Sequence, residues 1–381
     1  MTEGPVVRVA ILDVGQGDTI VVSVPDTREA VVIDCVDAEA VLAYLESEKI
    51  TRLAALIITH LHVDHYKGAI RLIQNVPGRL SMECEKVIFN WAHEKRKAPR
   101  EDADLHSTSG TSARERTNTY RELWRWTSEV EHRQRCTFLL RDASGGRLLD
   151  GAIGGVIDVL QPWHGQIGGL LASGVNNTSA VIKVRGAGTS ALLTGDIEPA
   201  GWIPLAHSSS VHADVLKFPH HGAWVGGDAA SLLADVQPSI VVMSVGTEGT
   251  RYKHPNVPVF DALAARAGVR VLCTQATTQC GAVDAQNTRE AIAREHHEES
   301  ERVVPPGSAG VASPGRAKDA CSCAGTVVID LKEQAHIVRP NLAFHRRIIG
   351  THLPTHQCVV YGDARNVLLP RAMPFIDSHI D

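Results

Sequence analysis

The segment His60–His65, which reads HLHVDH, constrains this chain more than any other feature of its sequence. It directly follows residues 53–59, a continuous apolar run whose length predicts a buried β-strand. His60 and His62 stand two residues apart, so in an extended segment their side chains point to the same side and can hold one ion. Asp64 follows as the chain turns, in a position to face a second ion. Imidazole and carboxylate together suit zinc, iron or manganese, and we therefore predict a metal centre where this strand ends.

The composition excludes several classes of protein. Of the 381 residues, 44% are hydrophobic and 21% are charged, which is typical of a globular protein. The net charge of −5 is not that of a protein that coats nucleic acid by bulk charge, so any such contact must be a local patch. No run approaches the ~18 apolar residues of a membrane helix, and the first residues, MTEGP, do not resemble a secretory signal. We expect a cytoplasmic protein with no membrane partner.

Short apolar runs of strand length recur along the chain with helical spacing between some of them, which predicts an α/β sandwich of sheets. We divide the chain into a catalytic domain with one insertion, a polar insertion bracketed by cysteines, the final strands of the core, and a tail. Their ranges are 1–275 with the insertion at about 90–145, then 276–325, 326–340 and 341–381. Within the first insertion we predict a polar loop followed by a helix at 114–133. The polar segment 281–320 has the composition of a loop, and we expect the tail to be irregular.

Further motifs stand downstream and upstream of HLHVDH. They are LDVGQGD at 12–18, NNTS at 176–179, LTGD at 193–196, LKFPHHG at 216–222 and RYKHP at 251–255. Together with HLHVDH, they resemble the metallo-β-lactamase fold, and in particular the DNase domain of ComEC-type competence proteins. The resemblance covers about residues 8–275. It implies an αββα sandwich and a binuclear metal centre that activates water to attack a phosphodiester.

The resemblance also implies roles for individual residues. It assigns His60, His62 and Asp196, with help from Asn177, to the first metal, and Asp64, His65, Asp196 and one of His220 or His221 to the second. The family usually has a third histidine for the first metal, and this chain has Asn176 and Asn177 in that stretch. An amide oxygen in place of an imidazole moves our expectation for the two divalent ions from zinc towards manganese.

Three more residues complete the predicted site. We expect Asp34 to hydrogen-bond a ligand imidazole and to fix its tautomer. Asp64 is a candidate to orient the attacking water as well as to bind metal. His254 is a candidate to contact the phosphate or to protonate the leaving oxygen. Lys217 lies at the edge of a strand, where a lysine is usually solvated.

The function predicted from these residues is that of a metal-dependent nuclease, with DNA favoured over RNA as its substrate. Two alternatives stay open, because a fold does not fix a reaction. One is hydrolysis of a small ester, thioester or lactam, and the other is a non-catalytic metal-binding module. Since an unrestrained nuclease endangers its own cell, we also expect control by a regulatory protein partner, by proteolysis, or by residues 281–320 covering the site.

Four cysteines bracket the second polar insertion, namely Cys273, Cys280, Cys321 and Cys323. Four thiolates could close a structural zinc site and fix both ends of this long segment. The alternatives are buried thiols or a redox pair. The sequence leaves the choice open.

Overall fold

The computed structural model describes residues 5–89, 113–129, 136–138, 148–162, 167–247, 254–277, 286–303 and 321–352. Fourteen strands in this part of the chain form two sheets. They are β1 (Val7–Ile11), β2 (Ile20–Val24), β3 (Glu29–Ile33), β4 (Arg52–Ile58), β5 (Cys84–Phe89), β6 (Cys136–Phe138), β7 (Ile157–Gln161), β8 (Val181–Arg185), β9 (Ser190–Leu193), β10 (Val215–Lys217), β11 (Ile240–Met243), β12 (Arg270–Cys273), β13 (Val327–Leu331) and β14 (Ala335–Arg339). The first sheet has the order β14-β13-β1-β2-β3-β4-β5-β6, and the second has the order β12-β11-β10-β9-β8-β7.

In the described part of the chain, eleven α-helices connect the strands or follow the last strand. They are α1 (Ala38–Ser47), α2 (Val63–Tyr66), α3 (Ala69–Leu80), α4 (Ala113–Ser128), α5 (Gly151–Gly154), α6 (Ile167–Ala172), α7 (Pro199–Trp202), α8 (Ala229–Val236), α9 (Val257–Ala264), α10 (Gln286–Val303) and α11 (Leu342–His352). Side chains of α1 to α4 pack on the outer face of the first sheet. Those of α7, α8 and α9 pack on the outer face of the second. Within the described ranges, no helix is both long enough and apolar enough to cross a membrane.

The side chains of successive residues point to opposite faces of each strand, and this alternation produces the layers. Val22 of the first sheet and Val242 of the second both lie in the core between the sheets. Their neighbours Val21 and Val241 point the opposite way, into the two outer cores. Because both faces of each sheet are buried, the central strands are mostly apolar, as the sequence indicated. The architecture is the αββα sandwich that was predicted.

Two helices correct the predictions for the C-terminal part of the chain. The polar segment 281–320 was expected to be a loop, and the tail after 340 was expected to be irregular. Instead α10 and α11 lie there. α10 is rich in Glu, Arg and Ala, which have high helix propensity. Each helix also buries isoleucine, Ile292 on α10 and Ile348 on α11, in one small apolar cluster, and this packing stabilises both helices.

The carboxyl ends of the strands converge on one edge of the sandwich. In the first sheet β3 is parallel to β4, and in the second sheet β9, β10 and β11 are mutually parallel. The segments that follow these strands hold Asp34, His60, Asp196, His221 and Ser244. Residues distant in the sequence thus meet at this edge.

Candidate metal centre

Four buried side chains from both sheets form a compact cluster, with one ligand atom from each lying within 4.8 Å of all the others. They are Asp64, His65, Asp196 and His221. The Oδ2 atom of Asp196 lies 3.2 Å from His65 Nε2 and 3.3 Å from His221 Nε2. Asp64 Oδ2 lies 3.9 Å from His221 Nε2. The cluster contains the ligand set predicted for the second metal and selects His221 over His220 for it.

Hydrogen bonds behind the cluster fix which nitrogen faces inward. His65 Nδ1 donates to Asp34 Oδ2 at 2.7 Å. His221 Nδ1 lies 2.7 Å from the carbonyl oxygen of Ser244, which can only accept, so this nitrogen carries the proton. Both rings therefore turn the lone pair of Nε2 towards Asp196.

A divalent cation fits the atoms that remain without partners. The buried atoms His60 Nε2, His65 Nε2, His221 Nε2, Asp64 Oδ1 and Asp196 Oδ1 have no hydrogen-bond partner. Such atoms are costly to bury unless a cation or a proton lies between them. Two ligands of a tetrahedral ion with bonds of about 2.0–2.1 Å are about 3.3 Å apart, close to the separations at Asp196 Oδ2.

In the metal-free protein, the close approach of His65, His221 and Asp196 shifts the pKa values of all three. Burial alone would lower the pKa of His65, but Asp196 and Asp34 raise it well above its ordinary value. Burial likewise opposes the charged form of His221, and Asp196 raises its pKa. For Asp196, burial would raise the pKa, but His221 and His65 hold it well below the ordinary range. Protons thus occupy the space between these groups when no cation is bound.

Asp34 orients two imidazoles, one of them through Thr59. Its Oδ1 accepts from the backbone N–H of Thr59 at 2.7 Å, and its Oδ2 accepts from the Thr59 hydroxyl at 2.7 Å as well as from His65. The Thr59 oxygen lies 3.2 Å from His60 Nδ1, so it accepts that proton and leaves His60 Nε2 free to bind. The contact expected for Asp34 is therefore present. The role of Thr59 was not predicted, because no feature of the sequence shows that its hydroxyl lies between Asp34 and His60.

Lys217 lies beneath the cluster and not in solvent, contrary to the expectation for a strand edge. Its side chain is fully buried, and Nζ pairs with the carboxylate of Asp18. Nζ also donates to the carbonyl oxygen of Gly195 at 3.0 Å and lies 3.6 Å from Asp196 Oδ1. The buried positive charge of Lys217 thus lies close to the carboxylate of Asp196. The one sequence signal was a lysine inside the otherwise apolar strand β10.

Comparison with known proteins shows what the N-terminal part of this site is similar to. Residues 12–118, which include Asp34 and the whole HLHVDH segment, match the sequence model of the metallo-beta-lactamase superfamily. Members of the superfamily are generally metal-dependent hydrolases.

Two individual proteins are similar to the chain. ComE operon protein 3 of Bacillus subtilis (strain 168) is 25% identical over 287 residues, which cover 70% of this chain and 32% of that protein. The chain thus spans about a third of the length of this curated relative. The metallo-beta-lactamase fold protein YhfI of Bacillus subtilis is 13% identical, with a TM-score of 0.38; its match covers 71% of this chain and 96% of that one.

The position predicted for the first metal is less compact than the position predicted for the second. The ring centroids of His60 and His62 are 4.8 Å apart, and those of His60 and His65 are 4.2 Å apart. Among the described residues, however, His60 and His62 belong to no group of three His, Cys, Asp or Glu ligands within the 4.8 Å limit met by the second position. The two positions therefore differ in how far the protein alone assembles them.

Asn177 is not available as a ligand, which corrects its predicted role. Its Oδ1 accepts from the backbone N–H of Gly201 at 2.7 Å and from that of Glu198 at 3.2 Å. A carboxamide oxygen has two lone pairs, and both are used here to cap α7. The side-chain nitrogen donates to Ser173 O at 2.9 Å. The residue supports the loop that follows β9.

His254 lies beside the centre but does not suit one of its two predicted roles. Its ring centroid is 5.6 Å from that of His220, and the side chain is half-buried. Burial, reinforced by the nearby His221 and His220, lowers the pKa of His254 to about 4. The ring is therefore neutral at pH 7 and holds no imidazolium proton to give to a leaving oxygen. A hydrogen bond to a bound substrate remains compatible with the geometry.

The described cysteines do not form the predicted structural zinc site. Cys273 packs in the outer core of the second sheet, whereas Cys321 and Cys323 pack in the cluster under α10 and α11. Within the described residues, neither metal-ligand group includes a cysteine. Cys323 Sγ instead lies 3.2 Å from Nε2 of the buried His345. Cys280 falls outside the residues that the structure describes.

Proposed function

We propose that this chain is a metal-dependent phosphodiester hydrolase that cleaves nucleic acid, DNA in preference to RNA, with two divalent ions of zinc or manganese. The observation that carries the proposal is the cluster around Asp196, whose buried donor atoms face one another without hydrogen-bond partners. The motifs shared with ComEC-type DNase domains, together with the similarity to ComE operon protein 3, favour nucleic acid as the substrate.

The charge of the buried groups supports an anionic substrate. Asp18, Asp34, Asp64 and Asp196 are buried together with Lys217, which gives a net charge of minus three when all five are ionised. One divalent cation leaves this set at minus one, which repels a phosphodiester. Two leave it at plus one, which matches the single negative charge of a phosphodiester. A neutral lactam or ester would gain less from this excess charge.

The residues of the site have distinct tasks in this proposal. When bound, the cations supply Lewis acidity towards the phosphate oxygens and lower the pKa of water. Asp34 and the carbonyl of Ser244 hold His65 and His221 so that Nε2 points inward. Asp64 presents an unpaired Oδ1 to the same space and can hold a proton of the attacking water. His254, neutral and next to His220, can hydrogen-bond the substrate.

A plasmid-nicking assay tests the proposal. The wild-type protein, loaded with Mn²⁺ or Zn²⁺, is expected to convert supercoiled DNA to nicked and linear forms. Asp64→Ala removes a metal-facing carboxylate, so we expect the rate to fall by about 10³-fold or more. Asp26→Ala is the matched control, because Asp26 is an exposed aspartate in the turn after β2, and it should keep full activity.

Parallel substrates separate the alternatives. A labelled RNA of the same length shows whether DNA is preferred. If supercoiled DNA survives with either metal while a small ester, thioester or lactam is hydrolysed, the nuclease proposal is wrong. If no substrate is turned over although metal binds, the chain is a metal-binding module.

A further inference from the structure

The side chains around Glu198 have no assigned role in the metal centre. Asn176 Nδ2 donates to Glu198 Oε1 at 2.9 Å, and Asn177 Nδ2 lies 3.4 Å from Oε2. Both amides of the Asn-Asn pair therefore hold one carboxylate. This carboxylate faces the ring of His220, whose Nδ1 lies 3.6 Å from Oε1. A carboxylate behind Nδ1 is the arrangement that orients a metal-binding imidazole.

The other face of the His220 ring is directed to the centre. His220 Nε2 lies 3.9 Å from Asp196 Oδ2, the same oxygen that His65 and His221 approach. Three imidazoles therefore converge on one carboxylate oxygen, each with its Nδ1 turned away towards an acceptor. His221 already belongs to the compact second position, so His220 remains for the first.

The backbone holds His220 in this place. Its φ of 47° and ψ of 48° lie in the left-handed region, which a residue with a side chain seldom adopts. Its N–H donates to the carbonyl oxygen of Gly195, directly before Asp196 in the chain, at 3.1 Å. A strained backbone persists where surrounding contacts enforce it, and such residues cluster at binding sites. This hydrogen bond ties the loop after β10 to the loop after β9.

The histidines of the first position lie beside His65, which approaches the same oxygen as His220. The ring centroid of His60 is 4.8 Å from that of His62 and 4.2 Å from that of His65. His65 Nε2 lies 3.2 Å from Asp196 Oδ2, and His220 Nε2 lies 3.9 Å from it. The first position has the imidazoles of His60 and His62, and the side-chain oxygen of Asn177 is already used by two backbone N–H groups. An imidazole from the loop after β10 would complete it.

We propose that His220, oriented by Glu198, is the third imidazole of the first metal position, together with His60 and His62. In this chain the Asn176-Asn177 pair acts on the metal indirectly, by fixing Glu198 behind His220. Glu198 is a positioning residue, since it touches the ligand and not the ion. The inference rests on the metal-binding part of the proposed function and not on the choice of substrate.

Metal titration of the apoprotein tests the inference without any nucleic acid. Calorimetry with Zn²⁺ on the full chain should show two sites of unequal affinity in the wild type. For His220→Ala we expect the tighter site to persist and the weaker one to lose about 100-fold or more in affinity. For Glu198→Ala we expect a loss of about 10- to 100-fold at the weaker site only. His212→Ala, which changes an exposed histidine, is the matched control and should bind as the wild type does.

Three results would overturn the inference. They are a wild type that binds a single ion, a His220→Ala variant with two unchanged sites, and a folded His220→Ala variant that loses the tighter site. Circular dichroism reports the fold of each variant, and the partly exposed Glu198 gives a second substitution if His220→Ala does not fold. A protein that binds two ions as expected but leaves DNA intact would reject the nuclease proposal and not this inference.

Discussion

Two buried polar clusters lie at the same edge of the sandwich, and they are built differently. In the first, which we call the Asp13 network, Gln275 Nε2 donates to Asp13 Oδ1 at 2.6 Å and Ser322 Oγ donates to Asp13 Oδ2 at 2.5 Å. The oxygen of Gln275 accepts from the N–H of Thr247 at 2.8 Å. Both carboxylate oxygens and the amide of Gln275 are therefore satisfied within the protein.

The metal centre, in contrast, contains buried polar atoms without hydrogen-bond partners. Five of its residues are about as deeply buried as Asp13, yet one ligand atom of each has no hydrogen-bond partner; they are His60, Asp64, His65, Asp196 and His221. The Asp13 network joins the loops after β1, β11 and β12 and needs nothing from outside. The metal centre becomes satisfied only when a cation or protons enter it. Both clusters are buried and polar, and the difference that matters for binding lies in which atoms remain unpaired.

The largest expected effect concerns Lys217, whose ammonium group is buried beneath the metal centre. Lys217→Met leaves Asp18 buried without its partner, so we expect the metal-free protein to lose about 3–5 kcal/mol of unfolding free energy. Lys217→Met combined with Asp18→Asn removes both charges and should recover most of that loss. Urea denaturation in the presence of a chelator measures both. A loss below about 1 kcal/mol for the single variant would show that this pair does not stabilise the fold.

A smaller effect concerns pH. His65 and His221 have raised pKa values in the metal-free protein, so a cation must displace their protons. Metal affinity should therefore rise with pH, by up to about tenfold per pH unit for each proton displaced, until both groups are neutral. Without metal the sign is opposite, because a raised pKa stabilises the folded state below about pH 6.5 and this contribution is lost as pH rises through the folded-state pKa. Calorimetry at pH 6 and pH 7 measures the first effect, and an unchanged affinity would contradict it.

The smallest effect compares one hydrogen bond in each cluster. Thr59→Val removes the hydroxyl between Asp34 and His60, and we expect metal affinity to fall by about 10- to 100-fold. Gln275→Leu is its counterpart in the Asp13 network. It should leave metal affinity unchanged and lower the unfolding free energy by about 1–3 kcal/mol. If Gln275→Leu weakened metal binding as much as Thr59→Val does, the two clusters would not be independent.

The sequence predicted the parts of the site that depend on local order. HLHVDH after an apolar strand located His60, His62, Asp64 and His65, and the order of strand ends brought in Asp34. The choice between His220 and His221 could not be made, because it depends on the carbonyl of Ser244, which follows a different strand. Composition alone also failed for α10 and α11, where a few buried apolar side chains stabilise helices that are otherwise polar.

The residues whose roles were missed or misassigned act through contacts that sequence spacing does not show. Asn177 looked like a ligand because of its place in the motif order, but its oxygen is saturated by backbone N–H groups. Lys217 looked solvated because it ends a short strand, but the hairpin carrying Asp18 covers it. In both cases the deciding partner is a distant segment of the chain.

The ligands of the compact cluster come from both halves of the sandwich. Asp64 and His65 follow β4 of the first sheet, whereas Asp196 and His221 follow strands of the second. A bound ion would therefore link the two sheets. Conversely, the apolar core between the sheets, which includes Val22 and Val242, sets the distance between the ligands of the two sheets. Side-chain volume deep in that layer becomes a way to adjust the metal site without changing any of its ligands.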